Sequence, residues 1–153
     1  MCYTYGTLEE YITKMLRDID VFHPHQMNIE VIAPRLGYAV HYYPYGSAYA
    51  DNVIFLDDRL LPEEQWQAFG HEVCHAKLHE GDQRLITAMM RDYQEVKANN
   101  FSQLFCIPTF MLQRLQLPND ERRAIWVLQE LFGVNPDFAQ KRLEQYCRNL
   151  CSR

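Results

Sequence analysis

Two histidines, His71 and His75, stand four residues apart in this chain, with Glu72 directly beside the first. On a helix, residues at that spacing lie one turn apart on the same face, so both imidazoles can present a nitrogen to one cation. Glu72 is rotated by about 100° from His71. Its carboxylate therefore flanks the pair and can accept a proton from water activated by that cation. The chemistry implied is metal-assisted hydrolysis, which needs a third protein donor and one open coordination position. Glu95, twenty residues after His75, is the best candidate for that donor, with Asp92 and Asp82 as rivals. Asn99, one turn beyond Glu95, can hold the Nδ1 proton of a ligand histidine with its amide oxygen.

The segments around these residues supply the elements that must position them. Pro62 followed by Glu63 and Glu64 is a helix start, and Gly81 is a stop. Between them Trp66, Phe69, Val73 and Ala76 form one apolar stripe, with His71 and His75 nearly opposite. The reading is a helix with a core face and a separate ligand face. A second helical stretch, from about Thr87 to Ile107, carries Glu95 and Asn99. Earlier in the chain, Thr7-Leu8-Glu9-Glu10 reads as a capping-box start of a helix running to about Asp20, with Leu8, Tyr11, Ile12 and Met15 inside. A short helix from Asn28 to Leu36 contains Pro34 and is stopped by Gly37. Residues 38–43 and 48–57 read as strands around a Pro44-Tyr45-Gly46 turn. Tyrosines 38, 42, 43, 45 and 49 crowd this region, as aromatics do on strands, and a tyrosine-rich sheet edge could also hold an extended peptide. After Pro108 come a short helix, a break at Leu117-Pro118-Asn119, a helix to Phe132, and a last helix from Pro136.

The five residues from His71 to His75 make an HExxH sequence, the pattern of zinc-dependent peptidases. The run from Gly70 to Pro108 as a whole resembles the ImmA/IrrE family of metallopeptidases. The signature of that family is HExxH with a further histidine four residues on, then E-x-x-A-N-x-F-A-x-x-L-L-x-P. Here His79, Glu95, Ala98, Asn99, Phe101 and Pro108 fall in step. Cys74, Ser102 and the pair Phe105-Cys106 depart from it at packing positions, and none removes a ligand.

The resemblance implies an α+β fold: one mostly helical metallopeptidase domain over 1–153, with a small antiparallel sheet, a minimal zincin-like core at 62–108 and C-terminal helices at 119–151. It implies Zn²⁺ on His71, His75 and Glu95, with Glu72 as the base that takes a proton from water and delivers it to the leaving amine. His79, about 80° around the helix from His71, is expected to contact substrate or support a ligand. The donor that stabilises the oxyanion is not identified by the sequence, and His79, Tyr93 and His41 are the candidates. Relatives of this kind act inside bacteria, often on phages or mobile elements, and cut a helix-turn-helix repressor at one site. The expected partner is therefore such a repressor. Two alternatives keep the metal: an anti-repressor that sequesters its target without cutting, against which the intact Glu72 speaks, and a zinc hydrolase acting on another bond.

Composition fits a small cytoplasmic enzyme. Hydrophobic residues make up 48% of the 153 residues, enough for one core and too short a chain for two ordinary domains. No apolar run is long enough to span a membrane, and no secretory signal pattern is present. Cysteines 2, 74, 106, 147 and 151 are odd in number and form no CxxC pair, which suits reduced thiols. Residues 127–134 followed by Arg142-Leu143 resemble a helix-turn-helix, a competing DNA-binding reading. The net charge of -5 argues against direct nucleic-acid binding.

Overall fold

The computed structural model describes residues 3–78 and 87–151. Helix α1 (Thr7–Asp18) starts one residue earlier than the sequence suggests. Gly6 is the cap, and its N–H donates to Glu9 Oε1 at 3.0 Å, so Thr7 has no capping role. Its buried face is Glu9, Ile12 and Leu16. Leu8 and Met15 pack at the margin of the core and Tyr11 is exposed, so the expected inner face is rotated by one position. Glu9 explains the shift, because it faces inward and also accepts from Tyr3 Oη at 2.8 Å and from Thr109 Oγ1.

Helix α2 (Ile29–Leu36) is capped by Asn28, whose Oδ1 accepts from Val31 N, and it ends at Gly37 with φ of 88°. That left-handed conformation is open to glycine at little cost. Strands β1 (Ala39–Tyr43), β2 (Ala48–Ala50) and β3 (Val53–Asp57) form one sheet in the order β1-β3-β2. The sheet is mixed and not all antiparallel: β1 runs parallel to the central β3, with His41 opposite Phe55, and β2 runs antiparallel to it. The expected strand over 48–57 is in fact a tight hairpin. Asp51, at φ of 52°, turns the chain in a region that Asp tolerates better than most residues. Pro44-Tyr45-Gly46 therefore joins strands that do not pair.

The motif helix α3 (Pro62–Leu78) begins with Pro62 in its first turn, and Glu64 Oε1 accepts the N–H of Leu61. Helix α4 (Ala88–Cys106) begins at a Thr87 cap whose Oγ1 accepts from Met90 N. The expected glycine stop at Gly81 lies outside the described residues. The two helices run antiparallel, with Trp66 against Phe105 and His71 against Asn99. Phe69 and Phe101 join them in a stack of aromatic rings 5.6 to 6.2 Å apart. Gly70 brings the backbones close: a Cβ there would stand 3.0 Å from Ser102 Oγ and 3.2 Å from Cys106 Sγ. The departures from the family pattern at Ser102 and Cys106 thus belong to this contact. Ser102 Oγ donates to Gln67 O at 2.7 Å.

The core face of α3 is wider than the expected stripe: Glu72, Cys74 and His75 are buried along with Trp66, Phe69 and Val73. Glu64, Gln67, Ala68 and His71 fall on the other side, which faces a cleft. Helices α5 (Thr109–Leu112), α6 (Glu121–Phe132) and α7 (Pro136–Cys151) complete the chain, with Gly133 turning between the last two at φ of 65°. Arg142 of α7 is fully buried. Its Nε donates to Ile107 O and its Nη2 to Thr109 Oγ1, each at 2.8 Å, and burial brings its pKa down to about 10. Arg142, which falls in the stretch that resembles a helix-turn-helix, is therefore an internal tie. Among the described residues no helix is long and apolar enough to cross a membrane.

Candidate metal centre

One turn of α3 and one turn of α4 bring the three expected donors together. His71 Nε2 is 3.1 Å from His75 Nε2. The Glu95 carboxylate spans both, with Oε2 3.0 Å from His71 Nε2 and Oε1 2.9 Å from His75 Nε2. Among the described residues this is the set of His, Cys, Asp and Glu side chains whose geometry could hold a metal ion. Asp92, on α4 but outside that set, is not brought to the histidines, and Asp82 lies outside the described residues.

Asn99 Oδ1 lies 2.9 Å from His71 Nδ1. Facing an oxygen, Nδ1 carries the ring proton, which leaves Nε2 as a lone pair aimed at Glu95. Burial, with the neighbouring His71 adding to it, lowers the His75 pKa against the opposing pull of Glu95, so its neutral form is favoured. Two imidazole nitrogens and a carboxylate thus converge. A tetrahedral ion about 2.1 Å from each donor would separate them by about 3.4 Å, close to the 2.9 to 3.1 Å edges here. The donor set fits zinc.

Glu72 sits beside this cluster and is 6% exposed. Burial, helped by the negative charge of Glu95, pushes its carboxyl up to about 7. Both His71 and Glu72 line a cleft of about 700 Å³, with Glu95 and Asn99 on its α4 wall. The Tyr49 ring of edge strand β2 stacks on His75, centroids 6.1 Å apart and nearly parallel. Of the crowded tyrosines, this one meets the site. His41 on β1 instead packs edge-on against Phe55, and Tyr93 is 68% exposed, two positions and so more than half a turn from Glu95. Neither lines the cleft, and His79 lies outside the described residues. Gln67, Gln103, Asn135, Phe138 and Lys141 do line it and were not singled out from the sequence. Gln67, Gln103, Phe138 and Lys141 are ordinary helix residues and Asn135 caps α7, and only the packing of α3, α4 and α7 around one cleft reveals them.

Residues 24–144 match the peptidase family M78, the IrrE N-terminal-like domain. The chain belongs to this family. Over 154 residues the M78 chain is 40% identical to the Bacillus subtilis protein YqaB, covering 98% of this chain and 90% of that one. It is 36% identical to XkdA, a protein of the phage-like element PBSX of the same organism, covering 92% and 73%. A transcriptional regulator of Mycobacterium tuberculosis shares the fold, with a TM-score of 0.63 at 18% identity over 86% of the M78 chain; the match spans 44% of that longer chain.

Proposed function

We propose that this M78 protein is a zinc-dependent, site-specific endopeptidase that cuts a helix-turn-helix transcriptional repressor and so relieves repression. The observation that carries the reading is the buried Glu72 beside three converging donors. A purely structural metal site has no use for a carboxylate held at that position. His71, His75 and Glu95 would hold zinc, which supplies Lewis acidity for activating water and polarising a carbonyl. Asn99 keeps His71 in the tautomer that ligates. Glu72 accepts the proton of the attacking water and returns it to the amine that leaves. The 36% identical relative from a phage-like element supports a setting in mobile DNA, where repressors of this class are found.

The test is co-expression of the wild type and of Glu72→Gln with the repressor encoded nearest to the gene, followed by the intact mass of the repressor. The expected result is one new cleavage with the wild type and none with the variant. A repressor left whole by both proteins, yet co-purifying with them, would replace cleavage by sequestration.

A further inference from the structure

The cleft does not end at the metal site. Glu95, Asn99 and Gln103 follow one another at four-residue steps along its α4 wall, and Asn135, Phe138 and Lys141 at three-residue steps along its α7 wall. Gln103 and Lys141 also line an adjoining groove of about 220 Å³ that includes Asn100, Gln145 and Arg148. Gln103 and Lys141 are common to both, so the α4–α7 side of the cleft forms a channel that leads from the metal site to Lys141, and a bond from Gln145 Nε2 to Asn100 Oδ1 at 2.9 Å crosses the smaller groove beyond it.

Charge is divided along it. Glu72 and Glu95 lie at the metal end, and Lys141 and Arg148 at the other; Glu64, on the first turn of α3, lines the cleft about two turns away from His71. Lys141 is exposed and makes no ion pair among the described residues. The carboxylate at that end, Glu144, receives the side-chain N–H of Gln140 at 3.3 Å.

From these observations, and resting on the endopeptidase reading above, we infer that the substrate chain runs from the metal site along the α4–α7 channel and that Lys141 selects an acidic side chain there. Glu95 and Gln103 are eight residues apart on α4, a rise of about 12 Å. An extended chain covers about 3.3 Å per residue. The acidic residue is thus expected about three to four positions from the cleaved bond.

A proteome-derived peptide mixture passed over zinc-loaded Glu72→Gln protein, with the retained peptides sequenced by mass spectrometry, tests this without requiring cleavage. Retained peptides should be enriched about two- to fivefold in Asp or Glu at one position, the range for one exposed ion pair. Adding Lys141→Gln should erase the bias, and adding Lys141→Glu should turn it toward Lys and Arg. Digestion of the same mixture by the wild type locates that position relative to the bond. Retention without acidic bias, a bias that ignores Lys141, or no retention at all overturns the inference. Retention with the expected bias but no cleavage by the wild type would instead remove the peptidase reading and leave a peptide-binding channel.

Discussion

Gly70→Ala probes the contact that brings Glu95 and Asn99 within reach of the histidines. In an open helix this change would stabilise by about 1 kcal/mol, since alanine restricts the unfolded chain and glycine does not. Here the new Cβ would stand 3.0 Å from Ser102 Oγ and 3.2 Å from both Cys106 Sγ and Phe105 Cδ1. Ser102 is tied to Gln67 O at 2.7 Å and Phe105 is fixed in the aromatic stack, so neither can move without a loss elsewhere. Overpacking of this kind costs about 1–3 kcal/mol. The net expectation is a loss of up to about 2 kcal/mol, which is a Tm drop of at most roughly 4–8 °C at this chain length. Because Gly70 adjoins His71, separation of α3 from α4 should also weaken zinc binding. Thermal unfolding of the metal-free variant, with and without Ser102→Ala, is the assay. Ser102→Ala removes the nearest atom and should restore part of the loss in the Gly70→Ala background. A rise in Tm for Gly70→Ala alone, with unchanged metal affinity, would refute the claim that close approach at this glycine sets the spacing of the site.

Asn99→Ala should weaken zinc binding about 10- to 100-fold, the usual effect of losing the partner of a ligand histidine. The metal-free Tm should not move, because Asn99 is exposed, and Asn99→Asp should retain most of the affinity; titration against a competing chelator measures both. Arg142→Ala strands the buried acceptors Ile107 O and Thr109 Oγ1 and should cost about 2–4 kcal/mol in denaturant unfolding. Alkylation by iodoacetamide should modify the exposed Cys147 and Cys151 of the folded protein and spare Cys74 and Cys106 until it is denatured. Burial pushes the Cys74 thiol up to about 12, and that of Cys106 higher still, so neither forms thiolate near neutral pH. Site-resolved mass spectrometry reads the outcome.

The donor set was legible because its spacing is helical geometry: four residues between His71 and His75, and four between Glu95 and Asn99, place each pair on one face whatever surrounds it. The helix signals at Pro62, Thr87, Asn28 and Gly37 are equally local, and the structure uses them as caps or ends. What depends on tertiary placement was not legible. A three-residue strand such as β2 carries no periodic signal, and a turn at Asp51-Asn52 within a strand-like run is easily read through. Glu9 and Arg142 belong to types that normally face water, so their burial as tie points between α1, α5 and α7 could not be anticipated from type alone. The α4–α7 channel is hidden for the same reason, since each of its walls alone resembles a solvated helix face.

The central claim is that His71, His75 and Glu95 hold one ion while Glu72 remains free to act as a base. Elemental analysis of zinc in the purified wild type, Glu72→Gln, and Glu95→Ala after equilibration with a weak chelator tests it most directly. The first two should retain about one zinc per chain, and Glu95→Ala should clearly lose it. Full zinc retention in Glu95→Ala, or loss of zinc in Glu72→Gln, would contradict the assignment of donors and base.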